Sequence, residues 1–326
     1  MKIFLRILAG LGILVALLIV YITLNGNKKF DAPYPNITAS KDSAIIARGR
    51  YLAFGPMHCA SCHTPMANMA EIDAGKEMPM LGGWEISIPP GTFRARNLTP
   101  DMETGIGKLS DKEIARTLRY GVGSDGRLIF PFMPFKDVSD DDLTALISFL
   151  RSQEPTKNEI APSEYTFLGK FLMTIEALKP DGPAVTPPIS VLRDSTAEYG
   201  KYLAYNVTNC RGCHTPRNIK TGEFTGPDFS GGFVIPPGKH SNDYAFVTPN
   251  LTTDVETGVM AEWSEQAFIN RMRGGRVHKS SPMPWGSISR MDDSDLKAIY
   301  RYLHSLEPIK NKIDKIVFEP GEELPS

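Results

Sequence analysis

Residues 7–24 form an uncharged, mostly apolar run of 18 positions. That is long enough to cross a bilayer as a helix and longer than the apolar part of an ordinary signal peptide. No small-x-small cleavage site follows, so the expectation is an uncleaved anchor over residues 1–28. Lys2 and Arg6 precede the run and Lys28 and Lys29 follow it, so basic charge nearly balances and sets no orientation. Beyond the anchor the pattern turns helical. Leu143, Leu146, Ile147 and Leu150 fall at i, i+3, i+4 and i+7, one face of a helix. Leu296, Ile299, Tyr300 and Leu303 repeat that spacing 153 residues later, and both stripes read as core-facing. Asp42 is placed to cap a helix start, and Ser110 with Glu113 forms a capping box before Ile114 and Leu118. Phe167, Leu168, Phe171, Leu172, Ile175 and Leu178 predict one amphipathic helix. Packing across an interface between the two halves is the favoured reading for it, over lying on a membrane surface. The long stretches between helices carry proline and glycine and are not strand-like.

The chain repeats itself. Gly49-Arg50-Tyr51-Leu52-Ala53 returns 151 residues later as Gly200-Lys201-Tyr202-Leu203-Ala204. Ile88-Pro89-Pro90-Gly91 returns as Ile235-Pro236-Pro237-Gly238, Asn97-Leu98-Thr99 as Asn250-Leu251-Thr252, and Glu103-Thr104-Gly105 as Glu256-Thr257-Gly258. Glu154-Pro155 matches Glu307-Pro308. Anchors in one order mean an internal duplication, and two copies, each able to bury its own core, argue for tandem domains over a solenoid. The expected organisation is an anchor (1–28), a tether with no reason to pack (29–41), a first domain (42–155), a stiff linker with one amphipathic helix (156–191), a second domain (192–310) and a tail (311–326). The fold class is mainly α: two small helical domains with long loops, plus the N-terminal transmembrane helix.

Composition adds little except through cysteine. At 326 residues the chain has room for about two domains, and a formal net charge of -1 gives no general field for nucleic acid or anionic lipid. All four cysteines lie in two copies of one motif, Cys59-Ala60-Ser61-Cys62-His63 and Cys210-Arg211-Gly212-Cys213-His214. A Cys-x-x-Cys-His stretch reads as a c-type haem attachment site: each thiol adds to a vinyl group and the histidine ligates the iron. A Cys-x-x-Cys redox or zinc pair that happens to precede a histidine is the bland alternative for one copy. Two copies with repeated flanks argue against it. Cys59, Cys62, Cys210 and Cys213 would hold two covalent haems, with His63 and His214 on the irons, and no cysteine is left for a disulfide or a nucleophile.

The other side of each iron needs a ligand. Met133, in Phe130-Pro131-Phe132-Met133-Pro134-Phe135, lies 70 residues after His63. Met283, in Ser281-Pro282-Met283-Pro284-Trp285, lies 69 after His214. Both sit between predicted helices, with prolines to stiffen the loop, and their matched position outweighs the usual role of methionine as a gap filler. Met78, Met80 and Met102 are rivals in the first half, and Met260, Met272, Met291 and His278 in the second. His58 reads as an exposed or structural side chain. Arg271, Arg273, Arg276 and Lys279 are candidates for haem propionates or an acidic partner, and Asn97 and Asn250 for propionates.

These residues resemble the class I c-type cytochromes in tandem, and more narrowly the multihaem cytochrome c subunits of membrane-bound alcohol, gluconate, sorbitol and fructose dehydrogenases. Cys-x-x-Cys-His-Thr-Pro at Cys59 and Cys210, the stretch from Asn97 through Glu103-Thr104-Gly105 to Gly107, and Pro131-Phe132-Met133-Pro134 carry the resemblance. It covers both halves, not the anchor or the inter-half helix. That family carries three haem motifs and usually a C-terminal anchor; this chain has two motifs and an N-terminal run. The resemblance implies cytochrome c domains with haem-wrapping loops, Met133 and Met283 as distal ligands, and attachment of haem outside the cytoplasmic membrane. The N-terminus would then be inside and both haem domains in the periplasm. The expected function is single-electron transfer between a periplasmic donor and acceptor. Partners would be a dehydrogenase, a respiratory complex or a terminal oxidase, with the membrane through the N-terminal helix. The alternative is a dihaem enzyme, a peroxidase or sulfur-compound dehydrogenase, with one open haem site.

Overall fold

Helices supply most of the regular structure in the computed structural model of the chain, which describes residues 1–219 and 221–325. In order they are α1 (Lys2–Asn25), α2 (Ser43–Phe54), α3 (Ala60–His63), α4 (Met69–Asp73), α5 (Asp111–Tyr120), α6 (Asp140–Ser152), α7 (Phe167–Thr174), α8 (Ala197–Tyr202), α9 (Cys210–His214), α10 (Glu265–Arg273), α11 (Trp285–Ile288) and α12 (Asp293–His304). Their starts follow local chemistry. The Asp42 carboxylate accepts the N–H groups of Ala44 and Ile45 at the head of α2. Ser110 and Glu113 close the capping box of α5, and left-handed Gly121 ends it. Ser139, Thr196 and Ser264 cap α6, α8 and α10 in the same manner.

Two helix crossings frame the halves: α2 on α6, and α8 on α12. Each passes over a glycine. A Cβ at Gly49 would lie 1.8 Å from the Ala145 carbonyl oxygen, and one at Gly200 1.9 Å from that of Ala298. Only a hydrogen lets the backbones approach so closely. The stripe Leu143, Leu146, Ile147 and Leu150 is buried under α2; Leu296, Ile299 and Leu303 are buried under α8. Where the duplication predicts two separate cores, most of the buried apolar side chains form one cluster running from Ile37 to Leu303, and a small second cluster holds Ala245, Val247 and Phe318. The reason is that the two helix pairs face each other and share buried surface.

The loops do contain strands, against the all-helical expectation. β1 (Glu85–Ile88), β2 (Gly91–Arg94) and β3 (Glu164–Tyr165) make one antiparallel sheet; β4 (Val234–Ile235), β5 (Ala245–Val247) and β6 (Val317–Phe318) make another. The third strand of each comes from beyond the last helix of its half, so residues 156–165 and 311–318 are integral to the fold. Asn158 and Asn311 reinforce this: their N–H groups donate to Thr104 at 3.0 Å and Thr257 at 3.1 Å. Residues 29–41 are also no loose tether. The Phe30 N–H donates to Gly126 at 2.7 Å, buried Arg116 donates to Tyr34 Oη at 3.0 Å and to the Phe30 carbonyl at 3.3 Å, and Ile37 enters the core. A buried guanidinium needs acceptors, and this segment provides them.

Polar pairs cross between the halves with approximate two-fold symmetry. Tyr51 Oη donates to Asp295 at 2.7 Å and accepts the Asp292 N–H at 3.0 Å, at the start of α12. Tyr202 Oη donates to Asp142 at 2.9 Å and accepts the Ser139 N–H at 3.1 Å, at the start of α6. Arg48 breaks the symmetry with a two-pronged bond to Asp142 at 2.9 and 3.2 Å. Burial raises the Asp295 carboxyl above the usual carboxylate range. Tyr51→Phe and Tyr202→Phe should each cost about 1–3 kcal/mol, because buried polar groups lose a partner. Tyr51→Phe should cost more, since Asp142 keeps Arg48; equal losses in urea unfolding would contradict this.

Candidate haem sites

Each Cys-x-x-Cys-His stretch makes one helical turn. His58 at φ 42° and Asn209 at φ 55° turn the chain sharply before α3 and α9, so these two positions have a backbone role. Burial pushes the His58 imidazole down to about 4. Within the turn, the His63 N–H donates to the Cys59 carbonyl at 2.9 Å. Cysteine, cysteine and histidine thus fall at i, i+3 and i+4, on one face.

The imidazoles are oriented from behind. His63 Nδ1 donates to the Arg96 carbonyl at 2.7 Å, and His214 Nδ1 to that of Pro249 at 3.1 Å. A carbonyl only accepts, so the proton sits on Nδ1 and the Nε2 lone pair is left for a metal. Burial holds both imidazoles below the ordinary histidine value. Burial also pushes the Cys59 and Cys210 thiols up to about 12 and Cys62 up to about 11. No group of three or more His, Cys, Asp or Glu side chains among the described residues could hold a metal ion.

Met133 lies between α5 and α6, half-buried at the edge of the core; Met283 lies between α10 and α11, also half-buried. The first loop is held by rings: Phe130 packs on Phe93 at 4.3 Å, and Phe132 on Trp84 at 5.7 Å. Trp84 follows Gly82, whose N–H donates to the His63 carbonyl at 2.7 Å, so the methionine loop and the histidine turn meet on one segment. In the second half the Trp285 N–H donates to the Met283 carbonyl at 2.8 Å, and Arg271 stacks on the Trp285 ring at 3.7 Å. Met80, Met260, Met272 and Met291 are buried core residues and Met102 is exposed; Met78 is half-buried. Met80 and Phe229 occupy matching places, each accepting from the repeated leucine, Leu98 or Leu251, at 2.8 Å. His278 packs edge-on against Tyr244 and Phe246 and accepts the Ser280 N–H at 3.3 Å on Nδ1.

Several polar candidates have internal roles. Asn97 Nδ2 donates to Thr104 and the Thr156 carbonyl while Oδ1 accepts twice from Thr99; Asn250 repeats this with Thr257, Ile309 and Thr252. Fully bonded, both brace loops. Arg273 pairs with Asp293 at 2.6 Å, and Arg276 grips Asp73 of the other half at 2.8 and 3.0 Å. Instead, Arg96 and Arg127 come together beside the acceptor carbonyl of His63. Arg96 is held below its ordinary value by burial and then by Arg127, and Arg127 Nε makes no hydrogen bond but pairs with the Asp125 carboxylate at 3.6 Å. Crowded guanidiniums suit the carboxylates of a haem, and with two thiols and an Nδ1-protonated imidazole the residues fit a covalently held haem. Repetition gave no hint of Arg96, because Pro249 stands at its counterpart.

No protein-family model matches the chain. It is similar to c-type cytochromes. It is 29% identical over 312 residues to the cytochrome c subunit of a quinone-dependent alcohol dehydrogenase from Komagataeibacter europaeus, covering 87% of this chain and 60% of that one. It is 29% identical over 279 residues to the gluconate 2-dehydrogenase cytochrome c subunit of Pantoea cypripedii, covering 81% and 60%. A diheme cytochrome c-type protein of Cereibacter sphaeroides is 26% identical over 262 residues, covering 77% and 83%. The chain thus spans about three-fifths of the length of the dehydrogenase subunits it matches.

Proposed function

We propose that this chain is a membrane-anchored dihaem c-type cytochrome that passes single electrons between a periplasmic donor and acceptor. The observation that carries the reading is the repeated turn whose histidine is pinned through Nδ1 to a backbone carbonyl, with two cysteines on the same face. Haem, when bound, supplies an iron that takes up and releases one electron. Cys59 and Cys62, and Cys210 and Cys213, would hold the two groups covalently. His63 and His214 would present Nε2 to the irons, and Met133 and Met283 would close the opposite faces. A thioether opposite histidine raises the potential and leaves no site for substrate. Arg96 and Arg127 would neutralise propionates in the first half. The halves would then be tandem cytochrome c domains with loops wrapped around haem, each including the short strand beyond its last helix.

α1 exposes its apolar side chains along nearly its whole length, and its residues 7–24 carry no charge. It supports a membrane anchor, and attachment of haem outside the cytoplasmic membrane would put that anchor in the inner membrane with the N-terminus inside. A dehydrogenase subunit as electron donor is the partner that the similarities favour. Protein made in a host that attaches haem c should gain two haems by intact mass, with both irons low-spin and six-coordinate in absorption spectra. A mass with fewer than two haems would overturn the reading.

A further inference from the structure

Helix α7 turns an apolar face outward. Leu168 and Ile175 lie seven residues apart on one side, with Phe167 beside them, and they are 43%, 54% and 50% exposed. The other side is fixed: Gly169 and Met173 are buried, and the Thr166 N–H and hydroxyl donate to the Pro90 and Pro89 carbonyls at 3.0 and 2.7 Å. The main neighbours of α7 are α1 and β3, so it does not lie between the halves as its pattern suggests.

α1 arrives at the same place. Ile22 is its one buried residue, and Gly26 lies so near Lys170 that an added Cβ would sit 2.5 Å from that side chain. Lys28 pairs with Glu176 at 2.6 Å, and the next residues are bonded to Gly126 and Arg116. α1 therefore leaves the protein at a fixed point. The uncharged run ends at Leu24, two residues before Gly26, which meets Lys170 of α7. A bilayer crossed by α1 would have its outer hydrocarbon edge near Leu24, where α1 meets α7.

We propose that α7 docks on the outer surface of the bilayer that α1 crosses, with Phe167, Leu168 and Ile175 at the boundary of headgroups and acyl chains. This rests on the anchor reading above. Helices with one apolar face lie in this zone, and exposed Lys29 and Lys179 near it suit anionic headgroups. Because α1 already holds the chain at the surface, docking of α7 is intramolecular and a small patch suffices. Two attachment points would fix the tilt of the haem-bearing halves over the membrane.

The test uses the full-length dihaem protein in bilayers of phosphatidylethanolamine and phosphatidylglycerol. A photoreactive benzophenone amino acid is placed singly at positions 168, 175, 14 and 255, and lipid adducts are measured by mass spectrometry. Leu14 is in α1; Val255 is an exposed residue of the second half. Adduct yields at 168 and 175 should be several-fold above that at 255. Adducts at 14 with 168 and 175 no higher than 255 would overturn the docking and leave the anchor standing. No adducts at 14 would remove the anchor and the docking together. Crosslinks from 168 or 175 to polypeptide instead of lipid would overturn the proposal in favour of a protein interface.

Discussion

Reduced Met133→Ala protein should bind one equivalent of carbon monoxide, and so should Met283→Ala, while the parent protein binds little. The sulfur of each residue is proposed to close one iron, and alanine has no donor atom. Histidine at either position should keep that iron six-coordinate but lower its potential, since histidine favours the ferric state relative to a thioether. The shift should be a sizeable part of the roughly 0.8 V over which axial ligands tune haem potentials. Redox titration of the two variants also assigns each potential to a half. If the parent already binds carbon monoxide readily at one haem, that half lacks a methionine ligand and becomes a candidate active site.

Gly49→Ala and Gly200→Ala should each destabilise the fold by roughly 3 kcal/mol or more, at the upper end of overpacking costs. The new methyl would meet the Ala145 or Ala298 carbonyl oxygen inside 2 Å. That oxygen belongs to a helix backbone and cannot rotate away, so α2 and α6, or α8 and α12, must separate. Alanine gains about 1 kcal/mol of helix propensity over glycine, which the clash outweighs. The melting temperature should fall by about 4 °C or more for a protein of this size. Gly10→Ala is the control, because nothing lies within 4 Å of its Cβ position. Unchanged melting of Gly49→Ala would show that the helices do not cross so closely.

Local chemistry was readable in the amino-acid order because it needs no distant partner. The run over residues 7–24, the Asp42 and Ser110 caps and the one-turn spacing of Cys59, Cys62 and His63 each depend on neighbours within a few residues. Duplication extended this reach, since it marked Met133 and Met283 as a matched pair in matched loops. It could not reveal Arg96, whose counterpart is a proline, and it misled on Asn97 and Asn250, where repeated residues brace repeated loops.

Tertiary structure decided the rest. Glu164–Tyr165 and Val317–Phe318 are strands of two residues, too short for any period, and exist only where β2 and β5 offer an edge. The segment 29–41 reads as loose until buried Arg116 demands acceptors. Tyr51 and Asp295 stand 244 residues apart, so nothing local couples them; their bond forms because folding brings two helix pairs face to face. The face shown by α7 was likewise undecided by its amphipathic pattern. Such a pattern says that one side is apolar, and only the path of the surrounding chain says what that side meets.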